Sequence, residues 1–424
     1  MSTASLSTEQ APPISVPLRF FAVAPLFLIL AALTAMMSDR IADVHTPALL
    51  AVTHCITLGF IGMIMFGAMQ QILPVVIGSP MPSSRLVAWF SLLPLIFGTI
   101  SLSGGFLLSN AALLHLASLL LGVAFLVFIV ASLVSLARAA TRNATATAIL
   151  LSVLALTAAV ALGIVLAQGY AGGLQLDYQK LAAAHMSLAL GGWVMLLIVG
   201  VSYQVVPMFQ LTPNYPKWLS AGLAPALFAA LLLNLASSFF DILSLGFIAE
   251  GLFWLCASCF ALVTLNLQFR RRRRVTDATL NFFRLGMVSL LCAALCAAAA
   301  LLAPAHEYFS QLSIVVFILG FALSVIHGML YKIIPFLVWF HLFRGGVKKG
   351  VPNMKEVIPE PWMWRHLWLH IVTLLAALLA FFWHAAAWLL ILGLALQGVL
   401  LSFAIFTSIM VYRRTYQRLE KVGP

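Results

Sequence analysis

The chain has 424 residues, of which 63% are hydrophobic and 8% charged, and its formal net charge is +12. A water-soluble domain of that composition would expose very large apolar patches, so the bilayer is the solvent. Alternating strands of the outer-membrane barrel type are absent, which leaves helices.

In chain order, Met1–Val16 is polar, proline-bearing and poor in positive charge, so it reads as a disordered cytoplasmic tail and not as a signal peptide. A hydrocarbon core about 30 Å thick is crossed by roughly 20 apolar residues. Such stretches lie near 17–37, 48–76, 86–108, 112–137, 146–168, 181–209, 218–239, 242–268, 283–303, 309–340, 367–383 and 386–412, before a second tail at 413–424. The expected fold is all-α, a polytopic membrane protein of about 12 transmembrane helices in one membrane domain over 17–412. Of the 23 lysines and arginines, Arg40 and Lys180 fall in outer segments and Lys332 inside a span, while all the others lie in segments that an inside N-terminus makes cytoplasmic. The expected location is therefore the inner membrane of a bacterial-type cell, with both termini in the cytoplasm. The arginine run Arg270 to Arg274 then faces lipid headgroups, and nucleic acid is not an expected partner.

Spans 2, 6 and 10 carry an internal repeat. Each ends near a proline: Pro74, Pro207 and Pro335. Seven residues before it stands a glycine (Gly67, Gly200, Gly328), and fifteen before it another (Gly59, Gly192, Gly320) followed by an aromatic ring (Phe60, Trp193, Phe321). Three residues before the proline the side chain is long and polar: Gln71, Gln204 and Lys332. Two helical turns separate the glycines, so they form a stripe along which a backbone or a flat ligand can approach closely. Recurrence every four spans predicts three four-helix arcs about a pseudo-three-fold axis, with spans 2, 6 and 10 innermost.

Intramembrane histidines are expensive unless their nitrogens have partners. His54 and His185 occupy matching depths in spans 2 and 6. They suit the axial positions of a haem, with Gly59 and Gly192 where the ring would lie flat. The plain alternative is two histidines bonded to carbonyls in a helix bundle. His327, beside Gly328 in span 10, is a candidate for a proton path or a second metal, in a polar cluster with Tyr331 and Lys332. His366 and His370 are one turn apart and so share a face, as a metal pair requires. Their tryptophan neighbours Trp362, Trp364 and Trp368 favour an interfacial aromatic belt instead. His115 is shallow, and His45, His306 and His384 fall in outer loops. Glu250 is the only carboxylate inside a span and is expected to carry protons or to bridge two helices. Gln71, Gln204, Lys332 and Glu250 together would make a polar layer. Cys256 and Cys259, like Cys292 and Cys296, read as small packing residues.

His54, Gly59, Gly67 and the run Leu73-Pro74-Val75-Val76-Ile77-Gly78, on twelve spans in three arcs, resemble subunit I of the haem-copper oxygen and nitric oxide reductases. The stretch from Ala184-His185-Met186-Ser187 through Gly191-Gly192-Trp193-Val194 to Pro207 resembles that family's span 10. The resemblance implies heme b with His54 as an axial ligand of a low-spin haem, and copper as a further candidate. Ser187 stands where a second span-10 histidine would be, and spans 7 and 8 hold no histidine, so a complete copper site of the family's kind is missing. The Arg19-Phe20-Phe21 start of span 1 is similar to the NnrS group, small haem- and copper-containing relatives associated with nitric oxide stress. The expected function is a b-type haem protein in electron transfer or in nitric oxide or oxygen redox chemistry, served by an unidentified electron donor. A membrane transporter with no haem is the alternative.

Overall fold

The structure is a computed structural model that describes residues 10–37, 46–139, 143–172, 174–175, 177–273, 275, 277–303, 306, 308–344 and 350–422. Most of the expected N-terminal tail, together with Arg40, His45, Arg142, Arg274, Lys348 and Lys349, lies outside the described residues.

Among the described residues, twelve helices are long and apolar enough to cross a membrane. They are α1 (Ser15–Met36), α2 (Pro47–Ile77), α3 (Ser84–Leu107), α4 (Ala111–Ala137), α5 (Ala144–Tyr170) and α6 (Tyr178–Gln210), then α7 (Lys217–Phe240), α8 (Leu243–Phe269), α9 (Ala278–Leu302), α10 (Tyr308–Phe343), α11 (Glu360–Ala380) and α12 (Ala386–Glu420). The protein is therefore an all-α polytopic membrane protein. Several starts are fixed by short polar side chains that accept the first free backbone N–H groups. Thr46 does so for α2 ahead of Pro47, Asn110 for α4, Asn143 for α5 and Asp177 for α6.

The three repeated helices share a backbone feature. Each is interrupted by a π-helical segment in which the hydrogen bonds run i→i+5: Cys55–Gly62 in α2, Ser187–Met195 in α6 and Val316–Ala322 in α10. These three helices are also the most buried of the twelve, at 67% of their apolar window, against 28% to 61% for the others.

By contacts the chain groups into two compact units, where the sequence led us to expect a single domain. One takes Ala68–Arg274 and Met287–Ile318; the other takes Pro13–Gly67, Val275–Gly286 and Leu319–Pro424. In the first, α3 through α8 pack largely on their neighbours in sequence. In the second, α1 lies against both the start of α2 and α12, and α11 against α12.

The glycine stripes are helix contacts. On the side where a Cβ would stand, Gly59 meets the ring of Phe27 in α1, and Gly192 meets Ala155 in α5. A Cβ at Gly67 would come within 2.9 Å of Phe20 and Phe21, one at Gly200 within 2.6 Å of Ala148, and one at Gly328 within 2.8 Å of Phe282. Each repeated helix thus rests its glycines on the helix that precedes it. This corrects the expectation that Gly59 and Gly192 offer that side to a flat ring, because Phe27 and Ala155 fill it.

Candidate functional site

The second unit brings together three histidines that the sequence assigned to different roles. His327 and His366 are fully buried, and His370 is 2% exposed. The aromatic-belt reading of His366 and His370 is therefore corrected. Both point inward from α11, while Trp368 of the same helix is 61% exposed and takes the outward face. The ring of His327 lies 4.5 Å from that of His366 and 5.1 Å from that of His370, centroid to centroid. Phe60 and Phe282 close the cluster edge-on to His327, at 5.3 and 5.9 Å.

Hydrogen bonds set the three rings differently. His370 Nδ1 is 2.8 Å from Gln397 Oε1 on α12, and its Nε2 is 2.8 Å from Ser324 Oγ. His366 Nδ1 is 2.8 Å from the Tyr331 hydroxyl, while its Nε2 has no hydrogen-bond partner. Neither nitrogen of His327 has one. A buried polar group left unbonded costs about 1–3 kcal/mol, so His327 calls for an explanation.

Gln397 and Ser324 are the residues that sequence reading missed here, whereas Tyr331, expected in a cluster with His327, stands against His366. Ser324 sits one turn before His327, and a one-turn search around each deep histidine finds it. Gln397 has no such signal, because only the packing of α11 on α12 brings it near. Lys332, expected in a polar cluster with His327, instead pairs with Asp277 at 2.9 Å. Asp277 accepts hydrogen bonds from Thr279 Oγ1 at 2.6 Å and Leu280 N at 2.9 Å, at the start of α9.

The remaining expected residues are placed as follows. His54, half-buried, has Nδ1 2.7 Å from Leu50 O, one turn back along its own helix. His185 has Nδ1 2.8 Å from Ala159 O in α5, and Gly163 of that helix makes room for its ring. The two belong to different compact units. Gln71 is buried with neither amide atom hydrogen-bonded, and Gln204 is half-buried. Glu250 lines a cavity in the first unit. His115 bonds Gln168 at 2.8 Å on an exposed face, and His306 and His384 are exposed.

As the side chains stand, no group of three His, Cys, Asp or Glu donors among the described residues is in ligating geometry. Three imidazoles on one tetrahedral metal, with bonds of about 2.0–2.1 Å, place their ring centroids roughly 5 Å apart. The ring of His327 stands at about that distance from each of the other two. A scan against protein-family models and a search of curated proteins found no match to this chain.

Proposed function

We propose that this protein is a membrane-embedded redox protein whose metal centre is a copper ion held by His327, His366 and His370. The observation that carries this reading is His327 itself. A fully enclosed imidazole bonded at neither nitrogen lies between two others whose Nδ1 atoms are fixed by Tyr331 and Gln397. Histidines that ligate through Nε2 have their other nitrogen held in this way, by a polar group that sets the tautomer and the ring orientation. In that state His366 Nδ1–H donates to Tyr331 Oη and His370 Nδ1–H to Gln397 Oε1, and Ser324 yields His370 Nε2.

Three neutral imidazoles suit copper or zinc. In a site enclosed by Phe60 and Phe282, a monovalent ion leaves half the net charge that a divalent one does, and buried charge is costly. That favours copper, which in its cuprous state carries a single charge and supplies one-electron chemistry when bound. The protein's own part is to hold three nitrogens in a dry pocket, exclude water with Phe60 and Phe282, and orient two of the rings through Tyr331 and Gln397. Heme b belongs to the same redox reading through an axial nitrogen of His54 or of His185, each taken within its own unit. The Nδ1 bond of each to a carbonyl is what a ligating histidine has, and equally what a structural one has. No step is assigned to it.

Metal analysis tests the proposal. Protein purified through a histidine-free tag from copper-replete cells should carry about one copper per chain, and His327→Ala and His366→Ala should lose it. Copper absent from the wild type, or retained equally by both variants, overturns the reading. A reduced-minus-oxidised spectrum of the same sample separates the redox reading from the colourless transporter.

A further inference from the structure

A second feature lies in the first unit and is independent of the copper centre. A cavity of about 270 Å3 is bounded by residues of α6, α7, α8, α9 and α10. It lies toward the end of α8 opposite the arginine run. Its wall includes Glu250, with Phe253, Trp254 and Phe317 around it. Phe253 packs edge-on against Trp254 at 5.2 Å, and Trp254 edge-on against Phe317 at 6.4 Å. No lysine, arginine or histidine lines the cavity, and Glu250 is in neither of the ion pairs among the described residues.

Two of the hydrogen-bond donors of the wall are already committed. Ser313 donates to Ala293 O at 2.9 Å, and Asn234 Nδ2 donates toward Ser187 Oγ at 3.4 Å. The wall therefore sets a carboxylate without a counter-charge among aromatic rings. An anionic ligand would be repelled by the carboxylate, and a plain acyl chain would leave it unpaired. A cation meets both features, through charge and cation–π attraction. The volume falls just below the range of about 300–1,000 Å3 that holds drug-sized molecules, so the ligand group is small.

We propose that this cavity binds an organic ammonium group, with Glu250 as its counter-charge and Trp254, Phe253 and Phe317 as its aromatic walls. The group can belong to a free small amine or to a lipid headgroup, and the two sources are separable.

Calorimetry on the full chain in dodecyl maltoside provides the test, with choline as the probe and 3,3-dimethylbutan-1-ol as its neutral isostere. Choline should bind at least tenfold more tightly than the isostere, and Glu250→Gln should lower its affinity tenfold or more with the thermal unfolding midpoint unchanged. Should that variant fail to fold, Ala300→Phe, which fills the cavity and leaves the carboxylate in place, should abolish choline binding. In phosphatidylglycerol nanodiscs, added phosphatidylethanolamine that displaces choline assigns the group to a lipid headgroup; undiminished binding assigns it to a free amine. Both results support the proposal. Equal affinity for the isostere, or unchanged choline affinity in Glu250→Gln and Ala300→Phe, overturns it. Copper content is unaffected in either case, so this test and that of the metal centre fail separately.

Discussion

Tyr331 holds the ring of His366 through a single 2.8 Å contact, and its removal leaves Nδ1 unsatisfied and the ring free to turn. Residues in this position typically govern metal affinity by 10–100-fold. Tyr331→Phe should therefore weaken copper binding by about that factor in a competition titration with a chromophoric chelator, while the helix content stays as in the wild type. At the pair of Asp277 and Lys332, burial pushes the Asp277 carboxyl up. The Lys332 ammonium, the Thr279 hydroxyl and the Leu280 N–H outweigh it, so the carboxyl sits below its ordinary value of 3.8. A carboxyl depressed in the folded state adds stability that is complete above its unfolded value and is lost as pH falls through the folded one. Asp277→Asn should therefore lower the unfolding midpoint at neutral pH, by about 1–3 kcal/mol in free energy. It should also flatten the loss of wild-type stability below about pH 4. Equal acid sensitivity in variant and wild type would remove the pair from this role. The one-turn spacing of His366 and His370 was legible in the sequence. Their burial was not, because the tryptophans beside them supplied a credible interfacial explanation and only the partner helices decide which face turns inward.

At the scale of the helix, the glycine and proline register of α2, α6 and α10 was fully legible, and with it the equivalence of the three. The partner of the stripe was not. Small residues at a two-turn spacing admit a backbone or a ligand alike, and it is Phe27, Ala155 and Phe282 that lie across from them. Placing a methyl group at Gly200 or Gly328 forces α6 off α5 or α10 off the start of α9. Gly200→Ala and Gly328→Ala should each cost about 1–3 kcal/mol, as overpacked positions do. Gly222→Ala in α7, where nothing stands within 4 Å, should leave the melting curve unmoved or raise it slightly. The π-helical segments had no sequence signal at all. An i→i+5 ladder uses the same apolar residues as an α-helix, and the pattern of burial sees only which face is covered.

For the molecule as a whole, hydropathy alone placed nine of the twelve spans to within a few residues of their observed ends; α9 starts at Ala278 against an expected 283, α11 at Glu360 against 367, and α12 runs on to Glu420 against 412. The orientation rests on charge, and it predicts that a fluorescent protein fused to the C-terminus will fluoresce and that alkaline phosphatase fused at His384 will be active. The reverse pattern would invert the topology. The division into two units was not legible, since it follows from contacts between segments far apart in the sequence. One such contact is that of α1 with α12, where the Cα side of Gly398 is closed by Pro25 O and Ile29 Cγ1, each 2.7 Å from where a Cβ would stand. Ten spans separate these helices in the sequence, so α1 leaves the ribosome well before α12. From the moment α1 enters the bilayer until α12 is released, the side of α1 that Gly398 will close faces lipid or a chaperone. Synthesis, and not only sequence, thus separates the two compact units in time: the one containing α3 to α8 can assemble as it emerges, while the other waits for its final helix.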